Sequence, residues 1–541
     1  MKKYLSIITI IIIGLLLRLI FIDKPDGLWN DEYVSWQIAA TPFFSGFFNA
    51  VKSQCHMPFY YLYLKFFMNI LGQSDLMLRL TSVFAGILAV PVMYFLGKEK
   101  SEETGILCAG MTAVSSFLIY YSQEVRLYSI LFLFSALTLL YTLKIIKNPT
   151  LKNLILCGLF NFMIIFTHTI GFVFVFFNLI FLSLNLYKKF KKAIIVFWLT
   201  IAGSTIVVSP LIIGILTTKS FSQWWGHFSI SKIGFLFTDY FSPVLTNLTN
   251  APDNFFYMQK LAFFMIVPSL IAIICIIKAL IKNKLNQQLF LLAVFFISVL
   301  IIASLSGKLV FITKYSIEIY PILIFLACSG LSSFNNKLIK NVFIILYFLI
   351  SFGYILVHPY SAPKMHRSEG HKIVADILKR MDLKPDDIIL LEYYPHNKYE
   401  KYFDFSPYRI LTINKGNFPE YMSENTDDIY KNGKKLYKAF FKTLKNSHFE
   451  NLIKKDVFDN INEGQNVVIV ILDSVSFYSP QKLYEIAQND TIYDKEPLLF
   501  LVFSYIKNKT FIDLNKVLQL TRLERKGSWT VIKFTKLKKS Q

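Results

Sequence analysis

The chain has 541 residues, of which 54% are hydrophobic and only 17% are charged, and its formal net charge is +22. Soluble domains carry about 25% charged residues, so this composition excludes an ordinary soluble enzyme and indicates a chain whose main solvent is lipid. The positive excess does not require nucleic acid as a partner, because membrane proteins concentrate Lys and Arg in their cytoplasmic loops.

Two parts of the chain differ in composition. The first 358 residues contain 27 basic and 12 acidic side chains, whereas the last 183 contain 30 and 23. Long apolar stretches dominate the first part, and the second part has the charge density of a soluble domain. We therefore predict a transmembrane domain over residues 1–357 and a soluble α/β domain over residues 358–541.

Eleven apolar stretches approach the ~20 residues that cross the hydrocarbon core of a bilayer. The first follows Lys2 and Lys3 and lacks a signal-peptide cleavage site, and the predicted cytoplasmic connections, such as KEKSEE and KKFKK, are basic. The positive-inside rule then predicts a multi-pass protein of the cytoplasmic membrane with its N-terminus inside and its C-terminal domain outside. The stretches are residues 4–22, 77–97, 104–121, 127–146, 151–168, 170–187, 193–216, 261–281, 287–305, 317–334 and 339–357.

The acidic residues of the membrane part concentrate at the opposite face. Nine of the twelve fall at or beyond the predicted outer ends of the spans. The first outer loop, residues 23–76, also contains amphipathic pieces such as PFYYLYLKFF, which can lie along the membrane surface and cover a site. Any chemistry is therefore expected at the outer face, with loop 23–76 as the catalytic loop.

Asp31 and Glu32 form an adjacent carboxylate pair in this loop. Such a pair cannot share one helix face, so one carboxylate is expected to face a site while the other caps, pairs or binds a cation. A partly desolvated carboxylate can act as a general base for a hydroxyl; a solvated acidic turn is the alternative. His56, in CHMPFYY, is either an interfacial polar residue or a hydrogen-bond donor to a phosphate or sugar.

Further ionisable side chains lie near the predicted membrane boundary. Glu124 and Arg126, in YYSQEVRLYS, either neutralise neighbouring helices or serve a site where Arg126 clamps a phosphate. Lys308 and Lys314 lie in a predicted outer loop, where the positive-inside rule disfavours basic residues. Contact with a lipid-linked phosphate or with a lipid headgroup would explain them.

Three more polar side chains fall at the ends of predicted spans. Arg18 and Arg79 are expected to extend to the membrane surface, as long basic side chains do. His168 is either an interhelical hydrogen-bonding residue or a ligand. The five cysteines imply no disulfide framework, and the sequence contains no CxxC or HExxH metal motif.

The tail alternates helical and strand patterns. An amphipathic helix in GHKIVADILKRM precedes a strand in DDIILLEYY, KKLYKAFFKTLKN precedes NVVIVILD, KLYEIAQ precedes LLFLVFSY, and WTVIKF closes the series. This order predicts a partly parallel sheet. Because the tail contains no nucleotide-binding or nucleophile motif, we assign it no catalysis.

Together these features resemble the polytopic glycosyltransferases that use polyprenyl-phosphate sugars, the group that includes protein O-mannosyltransferases and the lipid A aminoarabinose transferase. The resemblance covers roughly residues 1–330 and implies the C-type glycosyltransferase fold. The residues that carry it are Asp31-Glu32, His56-Met57-Pro58-Phe59-Tyr60-Tyr61, Arg79-Leu80 with Ser82 and Gly86, Tyr121 to Glu124 with Arg126 and Tyr128, His168 with Gly171, and Lys314-Tyr315 before Pro321.

The resemblance implies an inverting transfer of a sugar from a polyprenyl-phosphate donor to a lipid, polysaccharide or protein acceptor at the outer face. Asp31 would be the base, with catalytic support from Glu32 and His56. No cofactor is required, although a divalent cation held by these three residues stays an open alternative. The implied donor and phosphate contacts are Glu124, Arg126, Tyr128, Lys314, Tyr315 and Arg79.

Two other functions fit a polytopic chain of this kind. A translocator of lipid-linked glycans would need charged residues along a path through the bilayer, whereas here the acidic groups collect at one face. A glycan polymerase or ligase of the outer face is the other alternative, and the Asp-Glu pair in the first loop favours the transferase over it.

Overall fold

The computed structural model of the protein divides into two compact units. The first unit contains Met1–Lys24 and Asn30–His366, and the second contains Pro25–Trp29 and Arg367–Gln541. The structure describes residues 2–23, 27–53, 56–187, 190–216, 231–242, 255–281, 283–305, 311–357, 371–391, 401–412, 465–472, 518–526 and 529–536.

The described part of the first unit is helical. Its first elements are α1 (Lys2–Leu19), α2 (Asn30–Ala40), a π-helical turn (Phe43–Phe47), α3 (Phe48–Ser53), α4 (Phe59–Leu71) and α5 (Asp75–Lys98). The next are α6 (Glu102–Val114), α7 (Ser116–Ser122), α8 (Tyr128–Lys147), α9 (Leu151–Thr167), α10 (Gly171–Leu186) and α11 (Lys191–Leu216). The last are α12 (Ser231–Phe241), α13 (Phe255–Leu280), α14 (Lys284–Leu305), a 3-10 helix (Thr313–Ile319), α15 (Tyr320–Ser332) and α16 (Lys337–Val357).

Each of the eleven apolar stretches coincides with one of these helices or with two consecutive ones. Among the described residues, five helical segments are long and apolar enough to cross a membrane, and a sixth results if α6 and α7 form one bent span. Four shorter apolar helices accompany them. The protein is therefore a polytopic helical membrane protein, and the number of eleven crossings stays a prediction. The five segments are Asp75–Lys98, Tyr128–Lys147, Phe197–Gly214, Lys284–Leu305 and Thr313–Ser332.

The predicted third span is broken at Ser115, where α6 and α7 meet at an angle of 56°. Backbone carbonyl groups released by such a break need partners inside an apolar unit. Arg18 supplies them, because its guanidinium donates to the carbonyl oxygens of Thr112 and Ala113, each at 3.1 Å. The prediction that Arg18 extends to the membrane surface is therefore wrong: the side chain is fully buried at the break.

A close approach between α5 and α7 accompanies this arrangement. A Cβ atom at Gly86 would lie 2.2 Å from the hydroxyl oxygen of Ser122 and 3.2 Å from Nε of Arg18. Ser122 itself accepts a hydrogen bond from Nε of Arg18 at 3.2 Å. Gly86 thus leaves the space in which Arg18 reaches the break.

Three predicted cytoplasmic connections meet at one end of the helices. Lys147, at the end of α8, pairs with Glu99 at 3.0 Å, and Lys340, in α16, pairs with Glu103 at 2.8 Å. Lys98 lies 3.8 Å from Glu102. We call this region the Lys147 end.

The described part of the second unit contains helix α17 (His371–Lys379) and a five-stranded sheet. The strands are β1 (Ile388–Leu391), β2 (Arg409–Thr412), β3 (Asn466–Leu472), β4 (Leu518–Lys526) and β5 (Trp529–Lys536), in the order β2-β1-β3-β5-β4. Strand β1 pairs in parallel with β2 and β3, and β5 pairs antiparallel with β3 and β4.

Apolar side chains of α17 pack on this sheet. Ile377 and Leu378 belong to the same buried cluster as Ile389 of β1 and Val468 of β3. The starts of β1 and β3 are also joined, because the side-chain amide of Asn466 donates to Oδ2 of Asp387 at 2.7 Å. The register of the parallel pair is thus set by both apolar packing and a polar contact.

The predicted elements of the tail and the observed ones overlap in part. Helix α17 and strands β1 and β3 lie within predicted segments, and β5 covers the predicted WTVIKF and extends two residues beyond it, whereas β2 and β4 lie outside every predicted segment. The predicted helices in KKLYKAFFKTLKN and KLYEIAQ and the predicted strand in LLFLVFSY lie outside the described residues, as does the predicted domain boundary after residue 357.

Candidate active site

Helix α2 begins with the two carboxylates of the first outer loop. Asp31 and Glu32 lie in its first turn, where the partial positive charge of a helix N-terminus favours acidic side chains. As expected for adjacent helical residues, the two side chains have different surroundings: Glu32 is fully buried, whereas the side chain of Asp31 is 26% exposed. Asp31 is therefore the more accessible carboxylate of the pair.

Glu32 forms a buried ion pair with Arg79 of α5. Nε of Arg79 lies 3.0 Å from one carboxylate oxygen and Nη2 lies 2.8 Å from the other, and neither side chain is exposed. The backbone N–H of Val125 also donates to Glu32. The prediction that Arg79 extends to the surface is thus wrong, and both oxygens of Glu32 are engaged. The pair holds α2 against α5, and the catalytic and donor-binding roles implied for Glu32 and Arg79 stay predictions.

Asp31 lies between two basic side chains that are remote in sequence. Its Oδ2 atom is 3.7 Å from Nη2 of Arg126 and 3.7 Å from Nζ of Lys314. Arg126 belongs to the turn between α7 and α8, and Lys314 belongs to the 3-10 helix before α15. Three segments separated by long stretches of helix therefore bring one carboxylate and two cations together. We call this region the Asp31 end.

The guanidinium of Arg126 is almost entirely buried but retains a free donor. Nη1 donates to the backbone oxygen of Asp31 at 3.3 Å and to the hydroxyl of Ser35 at 3.4 Å. Among the described residues, Nε of Arg126 has no hydrogen-bond partner. Because a buried N–H without a partner is costly, a ligand oxygen at this position would be favoured.

Tyr128 and Tyr315 surround the two cations with aromatic rings. Nζ of Lys314 lies 5.7 Å from the ring centroid of Tyr128 and 5.4 Å from that of Tyr315, and the guanidinium of Arg126 lies 5.9 Å from Tyr128. Cation–π contacts of this length hold both side chains near Asp31. The structure thus places Tyr128 and Tyr315 beside the cluster, and their donor contacts stay predictions.

The 3-10 helix that carries Lys314 is anchored from two sides. Tyr240 of α12 donates from its hydroxyl to the backbone oxygen of Ser316 at 2.7 Å. On the other side, Nδ1 of His168, which ends α9, lies 2.9 Å from a carboxylate oxygen of the fully buried Glu318. Of the two roles left open for His168, the interhelical hydrogen bond is therefore the one observed.

His56 lies between α3 and α4, with its ring centroid 5.7 Å from that of Tyr61. Burial, followed by the positive charge of Arg126, lowers the pKa of His56 to about 3, although Asp31 opposes the shift. At neutral pH the imidazole is therefore uncharged, with one ring nitrogen that donates and one that accepts. A neutral His56 fits a hydrogen-bonding role towards a sugar and does not add a charge for a phosphate.

The remaining predicted residues are placed as follows. Glu124 is 1% exposed and lies in the same turn as Arg126, so its donor-binding role stays a prediction. Lys308 lies outside the described residues. In the part of the chain that the structure describes, no group of three or more His, Cys, Asp or Glu side chains could hold a metal ion. Engagement of both Glu32 oxygens by Arg79 argues against the cation set of Asp31, Glu32 and His56.

Several residues of the site carried no predicted role. Ser35 donates to the backbone oxygen of Asp31 at 2.9 Å, a contact that its position four residues after Asp31 in a helix could have indicated. Tyr240 and Asp239 lie in a long outer connection whose sequence shows no motif. Tyr240 holds the segment of Lys314 through Ser316, and Asp239 holds it by accepting a hydrogen bond from the hydroxyl of Thr313. No local pattern encodes these tertiary contacts.

One described protein family matches part of the chain. Residues 55–213 match the sequence profile of the family described as dolichyl-phosphate-mannose-protein mannosyltransferase. That region includes His56, Arg79 and Arg126 but neither Asp31 nor Lys314. A search of curated proteins finds no match to the chain.

Solved structures resemble the whole chain. The apo structure of ArnT from Cupriavidus metallidurans has 12% identity and a TM-score of 0.55, and the match covers 98% of each chain. The structure of the same protein bound to undecaprenyl phosphate has 12% identity and a TM-score of 0.51, with 97% of each chain covered. An apo oligosaccharyltransferase from Archaeoglobus fulgidus has 10% identity and a TM-score of 0.50, covering 99% of this chain and 88% of that one.

At such identities the structural matches establish the fold. Together with the family profile, they confirm the resemblance to C-type glycosyltransferases and the class of enzyme to which it points, a glycosyltransferase.

Proposed function

We propose that this chain transfers a sugar from a polyprenyl-phosphate donor to an acceptor at the outer face of the cytoplasmic membrane. The observation that carries the proposal is the position of Asp31, partly exposed and 3.7 Å from both Arg126 and Lys314. A carboxylate next to two cations provides a proton acceptor and an anion-binding site in one place. The structure of the Cupriavidus protein with undecaprenyl phosphate supports the class of donor.

The negative charge that develops on the leaving group suits a site with two cations, Arg126 and Lys314. A sugar linked through its anomeric carbon to a polyprenyl phosphate is a phosphodiester with one negative charge. When the bond between the anomeric carbon and the phosphate oxygen breaks, the leaving polyprenyl phosphate carries one charge more. Arg126 and Lys314 would stabilise that added charge, so the phosphate departs without a proton from a general acid.

Asp31 would act on the other reactant. The acceptor hydroxyl forms the new bond to the anomeric carbon, and its proton passes to the carboxylate of Asp31. A retaining mechanism through a covalent intermediate needs a second catalytic group near the sugar. The adjacent carboxylate, Glu32, is bound through both oxygens to Arg79. A single displacement with inversion at the anomeric carbon therefore suits the site better.

The membrane arrangement belongs to the same proposal. A cytoplasmic N-terminus and eleven spans would place the Asp31 end outside, with the soluble domain of residues 358–541 on that side as well. Membrane lipid would surround the helices, and the polyprenyl chain of the donor would lie in the outer leaflet. The acceptor would be a lipid, a polysaccharide or a protein.

A reconstituted transfer assay tests the proposal. Purified protein in lipid vesicles is supplied with undecaprenyl-phosphate-linked sugars and an envelope extract as acceptor, and free undecaprenyl phosphate and glycosylated product are measured by mass spectrometry. We expect both products, with the anomeric configuration inverted when the glycosylated product is compared with the donor by NMR. Movement of the intact donor across the vesicle membrane without a covalent product would instead identify a translocator, and products extended by many sugars would identify a polymerase.

A further inference from the structure

Tyr61 has a buried hydroxyl that takes no part in the reaction proposed above. It lies in the third position of α4, with none of its surface exposed. In the part of the chain that the structure describes, its hydroxyl oxygen has no partner in hydrogen-bond geometry. Most buried polar groups in proteins have a partner, and leaving one unpaired destabilises the folded protein. The hydroxyl therefore requires an explanation that packing alone does not supply.

The surroundings of Tyr61 are those of the Asp31 end. Its ring contacts that of His56, and Arg126, Tyr128 and Asp31 interact electrostatically with it. Ser35 lies within hydrogen-bonding reach of the phenol oxygen, although the two side chains do not meet in hydrogen-bond geometry, and Ser35 donates its own proton to the backbone oxygen of Asp31. Burial raises the pKa of Tyr61 above its ordinary value, so the phenol keeps its proton and is available as a donor.

The same helix contains tyrosine and phenylalanine side chains for comparison. Tyr63, two residues later, donates from its hydroxyl to the backbone oxygen of Thr81 at 2.8 Å, which is an ordinary structural role. Phe59, Phe66 and Phe67 show that α4 accepts an aromatic ring without a hydroxyl. A phenylalanine at position 61 would avoid the unpaired group. The hydroxyl of Tyr61 thus lacks the well-aligned structural hydrogen bond that Tyr63 makes.

We propose that the hydroxyl of Tyr61 donates a hydrogen bond to the phosphate of the lipid-linked donor, next to the guanidinium of Arg126. This inference rests on the proposed function and adds a substrate-contacting residue to it. Nε of Arg126 is another buried donor without a hydrogen-bond partner among the described residues, and it lies at the same end of the molecule, which supports a shared anionic ligand. The hydroxyl of Tyr61 and Nε of Arg126 would then donate hydrogen bonds to oxygens of one phosphate.

The hydrogen bond strengthens as the reaction proceeds. The phosphate gains a negative charge when the sugar leaves, and hydrogen bonds to a more strongly charged acceptor are stronger. Tyr61 would therefore contribute both to binding of the lipid phosphate and to the rate of transfer. Loss of a hydrogen bond to a charged group typically lowers affinity or rate about tenfold to a hundredfold.

Two matched variants, Tyr61→Phe and Tyr63→Phe, test the inference. Each removes one hydroxyl from a tyrosine of α4, which is fully buried at position 61 and half-buried at position 63. Thermal unfolding, binding of undecaprenyl phosphate and sugar transfer are measured for both and for the wild type. For Tyr61→Phe we expect an unfolding temperature equal to or above that of the wild type, with about tenfold to a hundredfold weaker lipid-phosphate binding and slower transfer. For Tyr63→Phe we expect a lower unfolding temperature and unchanged binding.

Three results would overturn the inference. One is wild-type binding and transfer in Tyr61→Phe. Another is a loss of stability in Tyr61→Phe like that in Tyr63→Phe, which would indicate a structural hydroxyl. The third is normal binding of undecaprenyl phosphate with impaired transfer from the sugar-linked donor, which would assign the hydroxyl to the sugar. Failure of the proposed function looks different, because the wild type itself would then neither bind undecaprenyl phosphate nor transfer a sugar.

Discussion

Helix α8 connects two polar regions of opposite character. Arg126 and Tyr128, at its start, belong to the Asp31 end, and Lys147, at its last residue, belongs to the Lys147 end. A helix of 20 residues is about 30 Å long, so the two regions lie a membrane thickness apart. At the Asp31 end the Glu32–Arg79 pair is fully buried, whereas at the other end the side chain of Lys147 is 55% exposed.

We interpret this difference in burial as a difference in role. The exposed charges at the Lys147 end would orient the protein in the membrane, and the charges at the Asp31 end would serve a reaction. Exposed ion pairs contribute little to stability, and their main effect is to keep basic residues on one side of the membrane. Buried charged groups are costly unless they are paired, and near a membrane they commonly mark functional sites. The fully buried Glu32–Arg79 pair and the clustered charges around Asp31 therefore support the proposal that the Asp31 end is the reactive side of the molecule.

The largest effect is expected from Asp31→Asn, which removes the proposed base while conserving size. We expect transfer to fall about 10²- to 10⁴-fold, the usual contribution of general base catalysis. Steady-state transfer from an undecaprenyl-phosphate sugar measures it, with Glu99→Gln at the Lys147 end as the matched control. Equal activity of Asp31→Asn and the wild type would exclude Asp31 as the base.

Glu32→Gln should affect stability more than any single change at the Lys147 end. It leaves the guanidinium of Arg79 buried without its counter-charge, and removal of one partner of a buried pair typically costs about 3–5 kcal/mol. Thermal unfolding in detergent measures the loss. In the double variant Glu32→Gln with Arg79→Gln, we expect less destabilisation than the sum of the two single changes. Strict additivity would mean that the two side chains do not act as a pair.

His56 should make the stability of the protein depend on pH in the acid range. Its pKa is lowered to about 3, below the ordinary value of 6.5, so the unfolded chain binds more protons between these two values. Stability is then fully present above pH 6.5 and decreases as the pH falls, by at most about 1.4 kcal/mol per pH unit.

The variant His56→Gln cannot titrate in this range. Unfolding temperatures of wild type and variant, measured from pH 7.5 to pH 5, should therefore show a steeper acid decline for the wild type. Parallel curves would mean that His56 is not held in its neutral form.

Lys147→Ala should have the smallest effect. Its pair with Glu99 is exposed to solvent, and such pairs contribute at most about 1 kcal/mol. We expect an unfolding temperature close to that of the wild type and an unchanged transfer rate. A substantial loss of transfer would contradict the division between the two ends.

Residue types and their predicted side of the membrane were sufficient to select Asp31, Arg126 and Lys314, which the structure brings together. The burial of a charged side chain and the groups that it contacts were harder to predict. Arg18 and Arg79 were expected at the surface because the ends of spans usually expose long basic side chains, yet both find buried acceptors. In each case the acceptor belongs to another helix, and its approach depends on packing over long sequence distances.

The same reasoning applies to the helices and strands. Long apolar stretches predicted the positions of the membrane helices, because hydrophobic length is a local property. The break at Ser115 was not predicted, since the carbonyl groups it releases are paired with Arg18 from another helix. Strand β2 has only four residues, and β4, LQLTRLERK, is rich in charged residues, so neither has the apolar pattern of a buried strand.

Cross-linking with a lipid phosphate tests the central claim most directly. Undecaprenyl phosphate with a photoreactive group next to the phosphate is bound to the purified protein and irradiated, and the labelled peptides are identified by mass spectrometry. We predict labels in peptides that contain Asp31, Tyr61, Arg126 or Lys314, at the Asp31 end. Labelling confined to peptides around Glu99 and Lys147 would contradict the assignment of the Asp31 end as the site of sugar transfer.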